Sequence, residues 1–236
     1  MKTKKRKASK KVEDLIGYAL NNHQNFFGKA VIMDDGRIEV ITMLDTYSMF
    51  FETAVHLLNE GQLEDGLRFL GYLESMSDSP DPRVLYNKGI CQTEMGLYHE
   101  AIESLKLCVS LEPDHSSAWT GLGVAYSRLG LIDEFAAASR SALDIHPDNP
   151  YAHTNLGLWF EYQGEDLEAL NHFRSAMRSL PGDFGLALNL AKCCMRLGNR
   201  YYDEAESVLT AIIMQNPKTS IKRDAMELLD RLKTKK

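Results

Sequence analysis

Three groups of side chains in this 236-residue chain have the types that could do chemistry. Cys91, His99 and Cys108 place two thiols and an imidazole within eighteen positions, the raw material of a zinc or redox site. Cys193 and Cys194 are adjacent, as a vicinal redox pair would be, and His146, His153 and His172 lie in the same stretch, 146–172, as the acidic run Glu165, Asp166 and Glu168. Each group falls short of a site on its own terms. A closed zinc site wants four ligands, and the 91–108 stretch offers three. The histidines form no ladder at four-residue spacing, and the acidic run is placed to open a helix, where carboxylates complement the helix dipole. The chain has no HExxH, GxSxG, paired CxxC or glycine-rich phosphate loop. No enzyme, no cofactor and no metal are therefore expected.

Composition agrees with an ordinary globular protein: hydrophobic residues make up 44% and charged residues 25%. Four cysteines at this length do not make a disulfide framework. No apolar run approaches the roughly 20 residues that cross a bilayer, so no membrane span is expected. The start, "MKTKKRKASKK", is basic like the front of an export leader, but Glu13 and Asp14 stand where the apolar core should follow. A cytoplasmic location is the expectation. Residues 1–11 hold seven Lys or Arg, which leaves 20 basic against 33 acidic residues beyond them.

The elements that carry these residues are set by a period. Pro113, Pro147 and Pro181 are 34 residues apart, as are Gly89, Gly123 and Gly157, and Gly96, Gly130 and Gly164. Between these marks the apolar residues recur at helical spacing, Trp119, Leu122 and Tyr126 on one face, Leu156 and Phe160 on another. Each block thus holds two helices, the first closed by the glycine at its fifteenth position and the second ended before the proline. Glycine at the eighth position lies inside the first helix, where it costs about 1 kcal/mol relative to alanine, so its recurrence points to close approach by another helix. The same register explains the cysteines: Cys108 shares a column with Ala142 and Ala176, and Cys91 with Ala125, Trp159 and Cys193.

The stretch "WTGLGVAY", with Trp119, Leu122, Gly123 and Tyr126, resembles the tetratricopeptide repeat (TPR), as do Leu156, Gly157, Phe160, Ala169, Phe173 and Pro181 in the next block. The block 82–115 keeps Gly89, Ala101, Leu105 and Pro113 but has Lys88 and Gln92 where a leucine and an aromatic are usual. The resemblance implies an all-α fold, a right-handed superhelical stack of TPR helix pairs, with about five repeats at 47–81, 82–115, 116–149, 150–183 and 184–217. Phe135 stands where the family has alanine and Ser139 where it has a large residue, so Phe135 is expected to take the space Ser139 leaves open. Residues 218–236 read as a capping helix with Ile221, Ala225, Leu228 and Leu232 on one side. Residues 12–46 lie outside the repeats; "VEDLIGYALNNHQNFF" reads as a helix, and Asp35-Gly36 between two β-favouring runs reads as a hairpin. That hairpin is the segment expected to support any self-association.

A repeat stack of this kind offers a concave surface lined by first helices, and the resemblance implies a non-enzymatic adaptor or chaperone-like scaffold for protein binding. Carrying over the family's groove positions selects Tyr86, Asn87, Ile90, Glu94, Thr120, Val124, Arg128, Thr154, Asn155, Leu158, Tyr162, Leu188, Asn189, Lys192 and Arg196. Asn87, Asn155 and Asn189 could each donate to and accept from a peptide backbone. The middle of this set is apolar and its later part basic, which suits a protein or peptide partner with an apolar centre and an acidic end. The lysine that chaperone-binding relatives need at position five is absent: Phe51, Tyr86, Thr120, Thr154 and Leu188 stand there. The alternative is a nucleic-acid accessory protein using the basic tail, since cations bind polyphosphate by releasing counterions. The tail lacks interleaved aromatics and the acidic body opposes it, so nucleic acid is the weaker expectation.

Overall fold

The structure is a computed structural model that describes residues 31–32, 38–39, 43–215, 217 and 219–235. The basic tail, the helix expected within 12–27 and the Asp35-Gly36 turn lie outside the described residues. The chain divides into two compact units, Met1–Ser79 and Pro80–Lys236.

In the first unit, β1 (Val31–Ile32) pairs antiparallel with β2 (Ile38–Glu39), Val31 opposite Glu39 and Ile32 opposite Ile38. Helices α1 (Met43–Asn59) and α2 (Leu63–Met76) follow and pack on each other. Phe50 is fully buried between Phe69, 5.8 Å away by ring centroid, and the edge of Tyr72 at 5.6 Å. Gly61 separates the two helices with φ of +77°, the left-handed backbone that closes a helix at no side-chain cost.

The second unit is a run of helix pairs: α3 (Pro82–Glu94) with α4 (Tyr98–Leu111), α5 (Ser116–Arg128) with α6 (Ile132–Ile145), and α7 (Pro150–Tyr162) with α8 (Asp166–Ser179). Then come α9 (Phe184–Leu197), a single 3₁₀ turn at Asn199–Tyr201, α10 (Tyr202–Met214) and α11 (Thr219–Lys233). The two extra residues after Gly198 are absorbed in the region of that 3₁₀ turn. Side chains start three of the first helices: Asp81 accepts from the Arg83 N–H, Asn149 from Tyr151 and Ala152, and Asp183 from Gly185 and Leu186. Pro82 and Pro150 occupy first-turn positions where a missing N–H costs nothing. His115 starts α5 instead, its ring Nδ1 accepting from Ala118 N–H at 3.2 Å.

Within the second unit each helix packs on the next in the chain, and first helices of successive repeats also touch, α3 with α5 and α5 with α7. Second helices do not pack on one another to a comparable extent, so the first helices form the inner layer. Two apolar clusters fill the interior. One runs through α3 to α6 around Leu105, Leu122 and Phe135; the other runs through α8 to α11 around Phe173, Leu209 and Leu232. Helix α7 stands between them, with Trp159 on the rim of the first and Phe160 on the rim of the second. On α11, Ala225 and Leu232 are fully buried while Ile221 and Leu228 pack at the edge of the second cluster.

The position-eight glycines are where paired helices meet. A Cβ on Gly89 would overlap the Leu105 side chain, and one on Gly157 would come within 2.6 Å of the Phe173 ring. Gly123 differs, because Ser139 occupies the matching position on α6. The Phe135 ring does not take that space: the atoms nearest a Gly123 Cβ are Asn155 Nδ2 and Ser139 Oγ, both 3.1 Å away, and the Phe135 carbonyl oxygen. The expected exchange within α6 is corrected. The amide of Asn155, from the next first helix, reaches back into the gap, while Ser139 Oγ donates to the Phe135 carbonyl at 2.8 Å. Polar substitution elsewhere is matched within a pair: Gln92, buried where an aromatic is usual, accepts from Ser104 Oγ at 2.8 Å.

Gly157→Ala should destabilise the second unit by about 1–3 kcal/mol more than Gly123→Ala, because a rigid ring must move in the first case and only small polar groups in the second. Urea unfolding of both variants measures the difference; equal losses would show that the glycine–ring contact is not what spaces α7 from α8.

Candidate functional site

The cysteines and histidines singled out by their chemistry divide cleanly. Cys91, Cys108, Cys193 and Cys194 are all free and buried. Cys108 Sγ donates to the Pro82 carbonyl at 3.3 Å and Cys193 Sγ to the Asp166 carbonyl at 3.4 Å, so the thiols tie second helices to first ones. Burial pushes the thiols of Cys91, Cys108 and Cys193 up to about 11 and that of Cys194 to about 12, which keeps them protonated and poorly nucleophilic near neutral pH. His99 is exposed near the start of α4. Among the described residues no group of three or more His, Cys, Asp or Glu is placed to hold a metal.

The inner layer is the remaining candidate, and its fifteen selected residues are not equivalent. Glu94, Arg128, Leu158, Tyr162, Lys192 and Arg196 are exposed or partly exposed, and Tyr86, Asn87, Ile90, Val124 and Asn189 are half-buried. Thr120, Thr154, Asn155 and Leu188 are buried, at 8 or 9% exposure, and have almost no surface to offer a ligand. The reasons are local. Thr120 donates to Ser116 of its own helix and accepts from Asn149 Nδ2 at 3.1 Å, and Thr154 donates to the Pro150 carbonyl. Asn155 has turned inward to the Gly123 gap, where its Nδ2 is buried without a hydrogen-bond partner. The asparagine ladder is therefore broken: Asn87 Nδ2 donates to the Arg83 carbonyl at 2.8 Å, and Asn189 alone of the three is neither buried nor bonded to its own helix in this way. Tyr86 lies with its ring 4.8 Å from that of His115.

The basic later part is also smaller than the composition of α9 suggests. Arg196 is held by Glu161 Oε1 at 2.8 Å and Asp166 Oδ1 at 2.9 Å, so its charge is spent on joining α9 to α7 and α8. Arg128 on α5 and Lys192 on α9 are the exposed cations of this layer without a carboxylate partner among the described residues.

Between them runs an apolar stripe. Tyr151, Leu158 and Tyr162 lie on one face of α7, at spacings of seven and four residues, and are 54%, 40% and 71% exposed. Tyr151 is not among the groove positions selected from the sequence; its second-position column, which holds Arg83, Ser117 and Gly185 in other repeats, was the signal that could have found it. Three large apolar side chains aligned on one exposed helix face are more than the scattered singles normal on a surface.

Two family models, both described as tetratricopeptide repeat, match the chain, one at residues 163–229 and one at 82–115 and again at 116–149. Together they cover more than half of it. The chain belongs to the tetratricopeptide repeat family. No curated protein matches its sequence. Among solved structures it is similar to a thermophilic TPR protein of Thermus thermophilus, with a TM-score of 0.67 at 20% identity, covering 78% of this chain and 98% of that one. It is also similar to pilF of Pseudomonas aeruginosa, TM-score 0.69 at 14% identity over 80% of this chain and 83% of that one. MamA of Desulfovibrio magneticus gives a TM-score of 0.56 at 19% identity over 80% and 98%. At these identities the likeness establishes an all-helical TPR solenoid, a scaffold that generally mediates protein–protein interaction and is typically non-enzymatic. Among the described residues no helix is long and apolar enough to cross a membrane.

Native protein should react with fewer than one equivalent of a thiol reagent such as dithionitrobenzoate at about pH 8, and with all four cysteines once unfolded in guanidinium. Fast labelling of Cys193 or Cys194 in the native state would revive a redox role for the pair.

Proposed function

We propose that the chain is a non-enzymatic adaptor whose inner layer of first helices holds a partner polypeptide. The observation that carries this reading is the α7 stripe of Tyr151, Leu158 and Tyr162, with the uncompensated cations Arg128 and Lys192 on the first helices to either side. Apolar side chains of the partner would cover the stripe, which supplies most of the affinity by removing it from water. Acidic residues would meet Arg128 and Lys192 and set the partner's direction and encounter rate more than its affinity. Glu94, on α3, would disfavour an acidic residue there and so orient the partner along the layer.

A chaperone-like role, in which the groove shields an apolar segment of a client, is the form of this function that the exposed tyrosines favour. Tyrosine offers a large contact area at small entropic cost, with a hydroxyl that tolerates water when the partner is absent. Function of this kind needs no cofactor, and none of the described residues is assigned to one.

Selection from a random peptide library on the immobilised full chain should enrich sequences with bulky apolar residues next to Asp or Glu. Tyr162→Ala with Leu158→Ala should weaken a selected peptide at least tenfold, and Lys192→Glu about tenfold, with thermal unfolding unchanged because all three side chains are exposed. Enrichment of basic peptides, or affinities that ignore all three substitutions in folded protein, would overturn the proposal.

A further inference from the structure

The repeat that carries the stripe also holds a histidine pair that the inner layer does not use. His153 on α7 and His172 on α8 bring their Nδ1 atoms within 3.0 Å, and His153 Nε2 lies 2.9 Å from the Pro147 carbonyl. His172 stacks on Phe160, with ring centroids 5.2 Å apart and planes at 22°. A carbonyl oxygen can only accept, so Nε2 of His153 carries a proton. In the neutral ring its Nδ1 is then an acceptor, and the Nδ1–H of His172 donates to it. The result is a directed chain of hydrogen bonds from α8 through α7 to the turn before α7.

We propose that His153 and His172 form a one-proton pair that locks α7 to α8 near neutral pH and releases them in acid. A first proton can add to Nε2 of His172 and leave the bond between the rings in place. A second must go to Nδ1 of His153, and two N–H groups, each on a cation, would then face each other across 3.0 Å. No arrangement of protons on doubly charged rings keeps the bond.

The surroundings set how readily the pair charges. Arg140 on α6 and the charge of His153 disfavour a proton on His172, while Glu168 on α8 favours one. A cavity of about 750 Å³ opens beside His153, lined also by Pro147, Asp148, Pro150, Ser175, Arg178 and Ser179, so water reaches His153, and a carboxylate and a guanidinium share that cavity. Burial, reinforced by His153 and Arg140, holds His172 below the ordinary histidine value of 6.5. His172 therefore binds a proton less readily in the folded chain than in the unfolded one. The stability linked to that titration is fully present above about pH 6.5 and is lost as pH falls below that value, and the bond between the rings goes with the second proton.

Its position gives the pair leverage. Helix α7 lies between the two apolar clusters, with Trp159 on the rim of one and Phe160 on the rim of the other, and the polar link to α8 adds to the apolar contact of Gly157 with Phe173. The same helix presents Tyr151, Leu158 and Tyr162, so loosening it in acid would release a bound partner. That consequence rests on the inner-layer reading; the proton linkage does not, and it is tested without a partner.

Site-assigned NMR of the histidine rings in the full chain, in buffer containing EDTA, would be followed from about pH 8 to about pH 5. His172 is expected to titrate below the ordinary histidine range, with its signal also reporting the titration of His153. Urea unfolding then reads the linkage: between about pH 7.5 and pH 5, the unfolding constant should rise about tenfold more in the wild type than in His172→Phe, which keeps a ring against Phe160. Independent titration of both rings at ordinary values in the wild-type protein would overturn the proposal whether or not the variant folds. So would stoichiometric zinc uptake by the pair when EDTA is omitted, since the pair would then be a metal ligand set.

Discussion

Everything in this solenoid depends on how closely the two helices of a repeat can approach. The position-eight glycine lets a large side chain of the second helix lie directly on the first: Leu105 over Gly89, Phe173 over Gly157. That contact sets the spacing of the pair and buries the second helix's apolar stripe, and the period of the chain repeats it. The turn glycines with positive φ, Gly96, Gly130 and Gly164, then return the chain at each pair without a side chain to strain the backbone.

The one repeat that breaks the rule explains what is unusual about its neighbour. Ser139 is too small to fill the space over Gly123, and a gap in a packed interior costs about 20–30 cal/mol per Å³ if nothing moves in. Asn155 moves in. Its amide is then buried with Nδ2 unpartnered, and Trp159 Nε1, one turn along the same helix, is buried without a partner too. Helix α7 thus buries two unpartnered polar atoms alongside Ala152 and Leu156, while its exposed face carries two tyrosines and a leucine. These polar groups lie on the helix that stands between the two clusters, the one the histidine pair bridges to α8.

Much of the architecture could be read without coordinates. Helix spacing, the glycine and proline marks and the small-residue columns that hold Cys91, Cys108 and Cys193 all follow from local backbone preference and from one packing rule applied at a fixed interval. The site was less legible. Groove positions follow from repeat register, but whether a residue at such a position is free depends on what else it can reach. Arg196 is within reach of two carboxylates 30 and 35 positions earlier, and Thr120 of an asparagine 29 positions later. His153 and His172 are 19 apart, a separation with no helical meaning until a turn folds α8 back along α7.

By itself the sequence determined the class of the protein: helices, their pairing in 34-residue units, and buried thiols rather than reactive ones. Those features depend on interactions within a turn or between adjacent helices, and repetition makes them visible. Only the tertiary structure decided which first-helix residues are exposed, which cations are paired with carboxylates, and that Asn155 rather than Phe135 fills the gap left by Ser139. Those outcomes are competitions between side chains from different repeats for the same space or the same charge, and a competition is settled by distance, which the order of residues does not contain.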